Sequence, residues 1–419
     1  MLAVSLGWAA VAAVILLLRQ TGVPATDTIW AEDGQVFLGQ ALDRGPLEVL
    51  FRPAEGYLSL APRVVGGLVS LAPLELSSAL LAVGAAVVLG LLSVYTLLAS
   101  ASILRTRWAR AVLAALVVLL PALAWESMNN VTNLQWSFLL PGFVALLASP
   151  RTPAATWAGS AVAFATAASA PVAAAYLPLA GIHLVRSRAV GRGATIAWAF
   201  VAGMALEGSV ILTARWSPGL DTSLADLPGL YGLRVAASLF GGEWILPFGW
   251  RFLGWGLAWA ALALGAVVLG YGAMRFPSRR GRCLLALGAS VVTFSLAVFA
   301  RGTSLLVPPA AEFHLHGSRW VIGPTLLLTL AILIVLEMPH PGAGRWLWAG
   351  IRSAFVVAVL VAVVLGFRVD NARSDGPRWK ARLQEARAAC GATGGEDVIV
   401  SITPPGWSMR VPCGRPSGG

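Results

Sequence analysis

A chain of 419 residues that is 58% hydrophobic and only 12% charged cannot clothe itself as a water-soluble domain, for which about 25% charged residues is usual. Its net charge of +11 would suit a polyanion, but Lys380 is the sole lysine and the arginines sit in short links between apolar runs. That distribution orients helices in a bilayer and argues against a nucleic-acid partner.

Apolar runs long enough for a hydrocarbon core of roughly 30 Å recur throughout and predict about eleven crossings. In chain order they lie near Leu2–Leu18, Leu76–Leu98, Ala111–Trp125, Leu134–Ala148, Ala154–Ala168 and Val172–Val185. Thr195–Thr213, Phe252–Gly272, Cys283–Ala300, Val321–Leu336 and Leu347–Phe367 complete the set. Pro171 and Pro178 leave 154–185 open to two readings, a pair of spans or one broken helix. The first run has no basic leader or small-residue cleavage site, so a retained span is expected.

Arginine clusters at Arg105–Arg107–Arg110, Arg186–Arg188–Arg192 and Arg275–Arg279–Arg280–Arg282 place those links in the cytoplasm. The amino terminus is then cytoplasmic and the carboxyl terminus external. The external parts are 19–75, 126–133, 214–251, 301–319 and everything after Phe367. Residues 1–367 form a transmembrane module and 368–419 a small external tail. The Ala, Gly and Arg bias fits a high-GC bacterial genome, hence a bacterial plasma membrane. The expected fold is an all-α polytopic membrane protein of about eleven transmembrane helices, with interfacial helices in the first external loop and a small α/β tail.

In the tail, Pro377 opens a helix on which Trp379, Leu383, Ala386 and Cys390 share a face. "DVIVSITPPGWSMRVPC" reads as strand, turn and strand ending at Cys413. Cys390 and Cys413 both lie outside, where thiols oxidise, and are expected to form a disulfide. Cys283 is left at a cytoplasmic helix end.

The first external loop opens with "IWAEDGQVF", two adjacent acids between aromatics. On a surface helix over Thr28–Leu42, Trp30, Gly34, Phe37 and Ala41 share the apolar face. Asp33 falls on the edge of that face and Glu32 on the polar side. A partly desolvated Asp suits a general base; the competing reading is a helix cap or a pair with Arg44 or Arg52. Downstream, "FRPAEGYLSLAPR" gathers Arg52, Glu55, Tyr57 and Arg63, and Leu58, Leu60, Val64, Leu68 and Leu71 mark a second helix against the membrane. Guanidinium forks at such a boundary bind phosphate, or simply contact headgroups.

A first span, an acidic motif opening a long external loop, two interfacial helices and this number of crossings resemble the type C integral-membrane glycosyltransferases (GT-C). "WAEDGQVF…GY…PR" is similar to the first-loop pattern of their bacterial members, "NNVTNLQW" (Asn129–Trp136) lies at an external helix end, and "HGSRW" (His316–Trp320) resembles the Arg-aromatic motif before a late span. The resemblance implies transfer of a sugar from a polyprenyl-phosphate donor to an external glycan, lipid or protein acceptor. It puts the base at Asp33, with Glu32 second. Arg63 and Arg319, with Arg52 and Arg301 in reserve, would stabilise the departing phosphate without requiring a metal. Adjacent acids diverge on a helix and cannot flank one anomeric carbon, so a single inverting displacement is implied.

Tyr57, Asn133, Gln135, Trp136 and His316 are the candidate sugar or acceptor contacts. Trp30, Tyr57, Trp136 and Trp320 serve equally as belt anchors, and Asn129, Asn130, Asn133 and Gln135 as helix caps. His314 and His316 beside Glu312 offer a divalent-metal alternative, set below a hydrogen-bonding role, so that no cofactor is expected. Glu207, inside a span, marks a buried polar contact or a substrate path. The rival functions are a polysaccharide polymerase or ligase and a lipid-linked-sugar flippase. A flippase calls for repeated halves and a polar central cavity, and neither is visible in the sequence.

Overall fold

The computed structural model describes residues 2–186, 190–213, 223–302, 317–338, 344–392 and 397–413. It is an all-α polytopic architecture with one two-stranded sheet. Helix α1 is Leu2–Arg19. The first loop holds α2 (Gly39–Arg44) and α3 (Leu60–Val69). The bundle continues with α4 (Ser77–Ala99), α5 (Arg107–Leu119), α6 (Leu134–Leu147), α7 (Pro153–Ala167), α8 (Leu177–Arg186) and α9 (Arg192–Thr213). Then come α10 (Leu227–Tyr231), α11 (Ser238–Leu253), α12 (Trp255–Arg275), α13 (Pro277–Arg301), α14 (Arg319–Leu336) and α15 (Arg345–Leu365). The tail is α16 (Trp379–Ala392) with β1 (Val398–Ser401) and β2 (Ser408–Val411).

A helix stands at each of the expected apolar runs. By length and composition, six of these segments can cross a membrane: 74–102, 192–213, 255–275, 277–300, 319–336 and 345–365. The 154–185 region forms two helices: α7 ends at Ala167, and a 3-10 turn at Pro171–Tyr176 leads into α8. At 111–125 the expected span is cut short. Leu120 is extended (ψ 127°) because Pro121 follows it, so α5 stops and 120–133 becomes a folded loop instead. Helix α11 lies inside what the sequence presents as a plain external loop.

Helix α14 is buried along 94% of its apolar window and forms the axis of the bundle, packed on α6, α12 and α13. Small residues let these backbones close up. A Cβ on Gly323 of α14 would lie 2.4 Å from the Leu139 side chain of α6, and one on Gly90 of α4 would lie 2.6 Å from the Ala9 carbonyl of α1. Because α6 and α14 run in the same sense, 120–136 and 317–319 meet at one end. The arginine-rich stretches 102–107 and 148–151 and the first turns of α13 (278–282) meet at the other.

The tail is part of the first end rather than an appendage. β1 and β2 pair antiparallel, Val398 opposite Val411 and Ser401 opposite Ser408. A disulfide joins Cys390 to Cys413, closing α16 onto the hairpin with a Cα–Cα distance of 5.5 Å. Trp379 is buried, with its indole N–H on the Leu74 carbonyl at 2.8 Å, and Arg387 pairs with Glu75. Cys283 is buried in α13.

Candidate functional site

The site is built where the tail meets the first loop. Thr403 bridges the chain just ahead of the two acids: Ala31 N–H donates to its carbonyl and its own N–H donates to Ile29 O at 3.1 Å. Beyond Ala31 the chain turns into a π-helical segment over Asp33–Leu38, not the regular helix the sequence suggests. Gly39 N–H reaches back to Gly34 O, and a Cβ on Gly34 would lie 2.7 Å from both Ile29 and Ile402 side chains. The wider turn and the covering tail bury both acids, so Glu32 does not face water as a regular amphipathic helix would have it.

Asp33 is 1% exposed, and both its oxygens are occupied. Oδ2 accepts from Val131 N–H at 3.0 Å, and Oδ1 accepts from Thr132 N–H at 2.9 Å and from the Thr132 hydroxyl. Burial pushes its carboxyl above the ordinary range, against the pull of these bonds and of Arg373. The Arg373 guanidinium is itself buried and donates to Thr28 Oγ1 and to the carbonyls of Ala25, Thr28, Met128 and Asn129. One tail arginine thereby fastens the first loop to the 128–132 loop.

Glu32 is arranged differently. It is 7% exposed, and its Oε2 has no hydrogen-bond partner. Burial raises its carboxyl to about 6; its own backbone N–H and, less strongly, Arg319 pull the value down, while Glu55 and Asp33 push it up. Arg319 is positioned by Glu126, whose Oε1 accepts from Gly317 N–H at 3.2 Å and Oε2 from Arg319 N–H at 3.4 Å. The Glu126 carbonyl also holds the side-chain amides of Asn130 and Asn133. Among the described residues the non-glycine positions with positive φ are Glu55, Ser59 and Asn129. All of them lie in these loops, and such backbone conformations cluster where surrounding structure enforces a site.

Beside the acids, Tyr57 OH accepts from Gln135 Nε2 at 3.0 Å. Gly56, Tyr57, Gln135 and Trp136 line a cavity of about 270 Å³ whose other wall is apolar, with Ile211 of α9 and Leu296 and Phe299 of α13. Gln135 Oε1, Trp136 Nε1, Asn133 Oδ1 and Ser318 Oγ are buried without partners. The tight turn 54–57, closed by mutual Ala54 and Tyr57 backbone bonds, carries both Tyr57 of this cavity and Glu55, whose charge raises the Glu32 carboxyl.

The structure therefore brings Glu32, Asp33, Arg319, Tyr57, Asn133, Gln135 and Trp136 to one end of the bundle. Arg63 is packed elsewhere in the first loop, donating to Gln40 Oε1 at 2.8 Å and the Pro53 carbonyl at 3.1 Å, with Phe37 under its guanidinium. Arg52 acts on Arg63, not on the acids. Both Glu207 carboxylate oxygens accept from Leu58 N–H, pinning the loop from inside. His314, His316 and Glu312 lie outside the described residues, as does the Arg301 side chain. Among the described residues no group of His, Cys, Asp and Glu is spaced to hold a metal.

Comparison with protein families, with curated proteins and with solved structures finds no match for this chain. The site's meaning therefore rests on its chemistry. Sequence reasoning passed over Glu126, Thr132 and Arg373. Glu126 and Thr132 flank the "NN" of an external loop, where the capping reading took in only the amides. Arg373 follows "DNA" in the tail, and a lone arginine after the last span carries no local signal.

Proposed function

We propose that this protein is a membrane glycosyltransferase of the GT-C kind, moving a sugar from a polyprenyl-phosphate donor to an acceptor on the external face of a bacterial plasma membrane. About eleven crossings, a cytoplasmic amino terminus and an external tail belong to that reading. The observation that carries it is Glu32: a buried carboxylate with one oxygen unpartnered and a proton affinity near 6, beside Arg319. Asp33 spends three of its roughly four lone pairs on Val131 and Thr132, whereas Glu32 Oε2 spends none, so we assign proton acceptance to Glu32 and positioning to Asp33.

In the reaction the acceptor hydroxyl gives its proton to Glu32 Oε2 as its oxygen bonds to the anomeric carbon. The bond from that carbon to the phosphate oxygen breaks with its electron pair, and Arg319 stabilises the charge on the departing phosphate. One displacement inverts the anomeric centre. The apolar wall between α9 and α13 suits the first isoprene units of the donor, and Gln135, Asn133 and Trp136 suit sugar hydroxyls. Arg63 is turned onto Gln40 and Pro53, and we assign it to supporting the loop rather than to the phosphate.

The test is turnover of a polyprenyl-phosphate sugar by full-length protein in liposomes, followed as release of polyprenyl phosphate. Glu32→Gln is expected to lower it by roughly 10²–10⁴-fold, and Arg319→Gln comparably. Wild-type rates in both variants would exclude this chemistry at this site.

A further inference from the structure

A second polar cavity lies at the opposite end of the bundle, unconnected with the acids. It encloses about 850 Å³ where the α4–α5, α6–α7 and α12–α13 links converge on the start of α9. Arg105, Arg151, Arg279 and Arg282 line it together with Ser102 and Ser278, and no acid does among the described residues. Deeper in, Tyr95, Leu98 and Ile196 supply an aromatic and aliphatic floor.

Arginines that merely orient helices have no reason to converge or to be buried. Arg279 is only 6% exposed, and its Nη1 is fixed on the Ile103 carbonyl at 2.8 Å. Arg282 Nη1 is fixed on the Ser102 carbonyl at 3.2 Å. Each guanidinium carries five N–H donors, so a single carbonyl bond sets its direction and leaves most of the fork facing the cavity. The acid nearest in effect is Glu337, but its Oε2 is turned onto the backbone N–H groups of Arg105 and Thr106 at 2.6 and 3.0 Å. It tempers the charge without filling the space. Like charges gathered this way are stabilised by an anion, and forked donors beside hydroxyls match a phosphate.

We propose that this cavity is a phosphate-binding site at the arginine-rich membrane face, filled by the headgroup of an anionic phospholipid or by free phosphate. Its polar mouth lies level with the ends of apolar helices and its floor is greasy, as a headgroup with an adjoining acyl chain requires.

The experiment uses delipidated full-length protein in neutral detergent, with thermal unfolding and bound lipid measured by native mass spectrometry. One arm adds phosphatidylglycerol against phosphatidylcholine; the other adds inorganic phosphate against chloride at equal ionic strength. Arg282→Gln and Arg151→Gln are the variants, because both side chains are exposed whereas Arg279 is buried, and Arg345→Gln, exposed at the same end outside the cavity, is the control. The expected result is selective phosphatidylglycerol binding, weakened about tenfold or more by either cavity variant and untouched by Arg345→Gln. The same pattern with inorganic phosphate alone assigns the site to the free anion. Equal binding in cavity variants and wild type, or equal weakening by Arg345→Gln, overturns the proposal and returns these residues to general surface charge.

Discussion

Glu32 and Asp33 are neighbours in sequence with opposite environments, and substitution separates their roles. Because burial raises the Glu32 carboxyl to about 6, the folded state holds its proton more tightly than the unfolded chain does. That contribution to stability is complete below the unfolded value near 4.5 and is lost as pH rises through about 6. Glu32→Gln is therefore expected to raise the unfolding temperature at pH 7.5 and flatten its decline between pH 4.5 and 6, even as it stops turnover. In the wild type the rate should climb through pH 6 and level off above it. A melting temperature that falls in Glu32→Gln would mean the carboxylate has a partner in the folded protein. Asp33→Asn should do the reverse. Its amide presents N–H where Val131 or Thr132 needs an acceptor, costing about 2 kcal/mol or more, read as a lower melting temperature at pH 7.5. The unusual acids were legible because a membrane-facing segment rarely carries a carboxylate pair. Their division of labour was not, since the face each side chain takes depends on the π-helical turn and on Thr132, almost a hundred residues away.

Among the elements, the tail and the first loop are coupled across a long stretch of sequence, and Arg373 is the joint. Replacing it with Ala strands the carbonyls it gathers and removes the cation acting on Asp33, an expected loss of roughly 3–5 kcal/mol by analogy with one-sided removal from buried pairs. Arg378→Ala is the comparison: Arg378 pairs with Asp27 at 3.5 Å but is exposed, so less than about 1 kcal/mol is expected. Chemical or thermal unfolding of both variants checks the ranking, and equal effects would remove Arg373 from this role. The helices themselves were readable from hydropathy, and α16 from its periodicity. The truncation of α5 was readable too, since Pro121 forbids the helical conformation at Leu120, but a long apolar run masks a proline when only hydropathy is scanned. That α16 and its hairpin dock rather than dangle follows from Trp379, Ile402 and Met409, each buried against parts of the chain too distant for any local pattern to show.

At the scale of the molecule, the bundle has an acid-and-amide end and an arginine end, joined by α6 and α14. If the tail is external, a membrane-impermeant maleimide should label intact cells only after reduction, at Cys390 and Cys413, leaving Cys283 protected in α13. Labelling that requires permeabilised cells would invert the orientation, and with it the face on which sugar transfer takes place. The two ends were foreshadowed by where arginine falls along the chain, because charge bias is a property of each link taken alone. The convergence of three such links on one cavity is not, since it depends on which helices pack together.

The pairing of Thr403 with Ile29 and Ala31 also sets an order of events in biosynthesis. The acids leave the ribosome long before Thr403, the residue of the hairpin that covers them. Until then, a nascent chain already threaded into the bilayer has its carboxylates open to water, with ordinary acidity and no fixed partner. Competence should thus arrive abruptly once the hairpin docks, and a stalled translation product lacking the hairpin should be inserted, intact in its helices and inert.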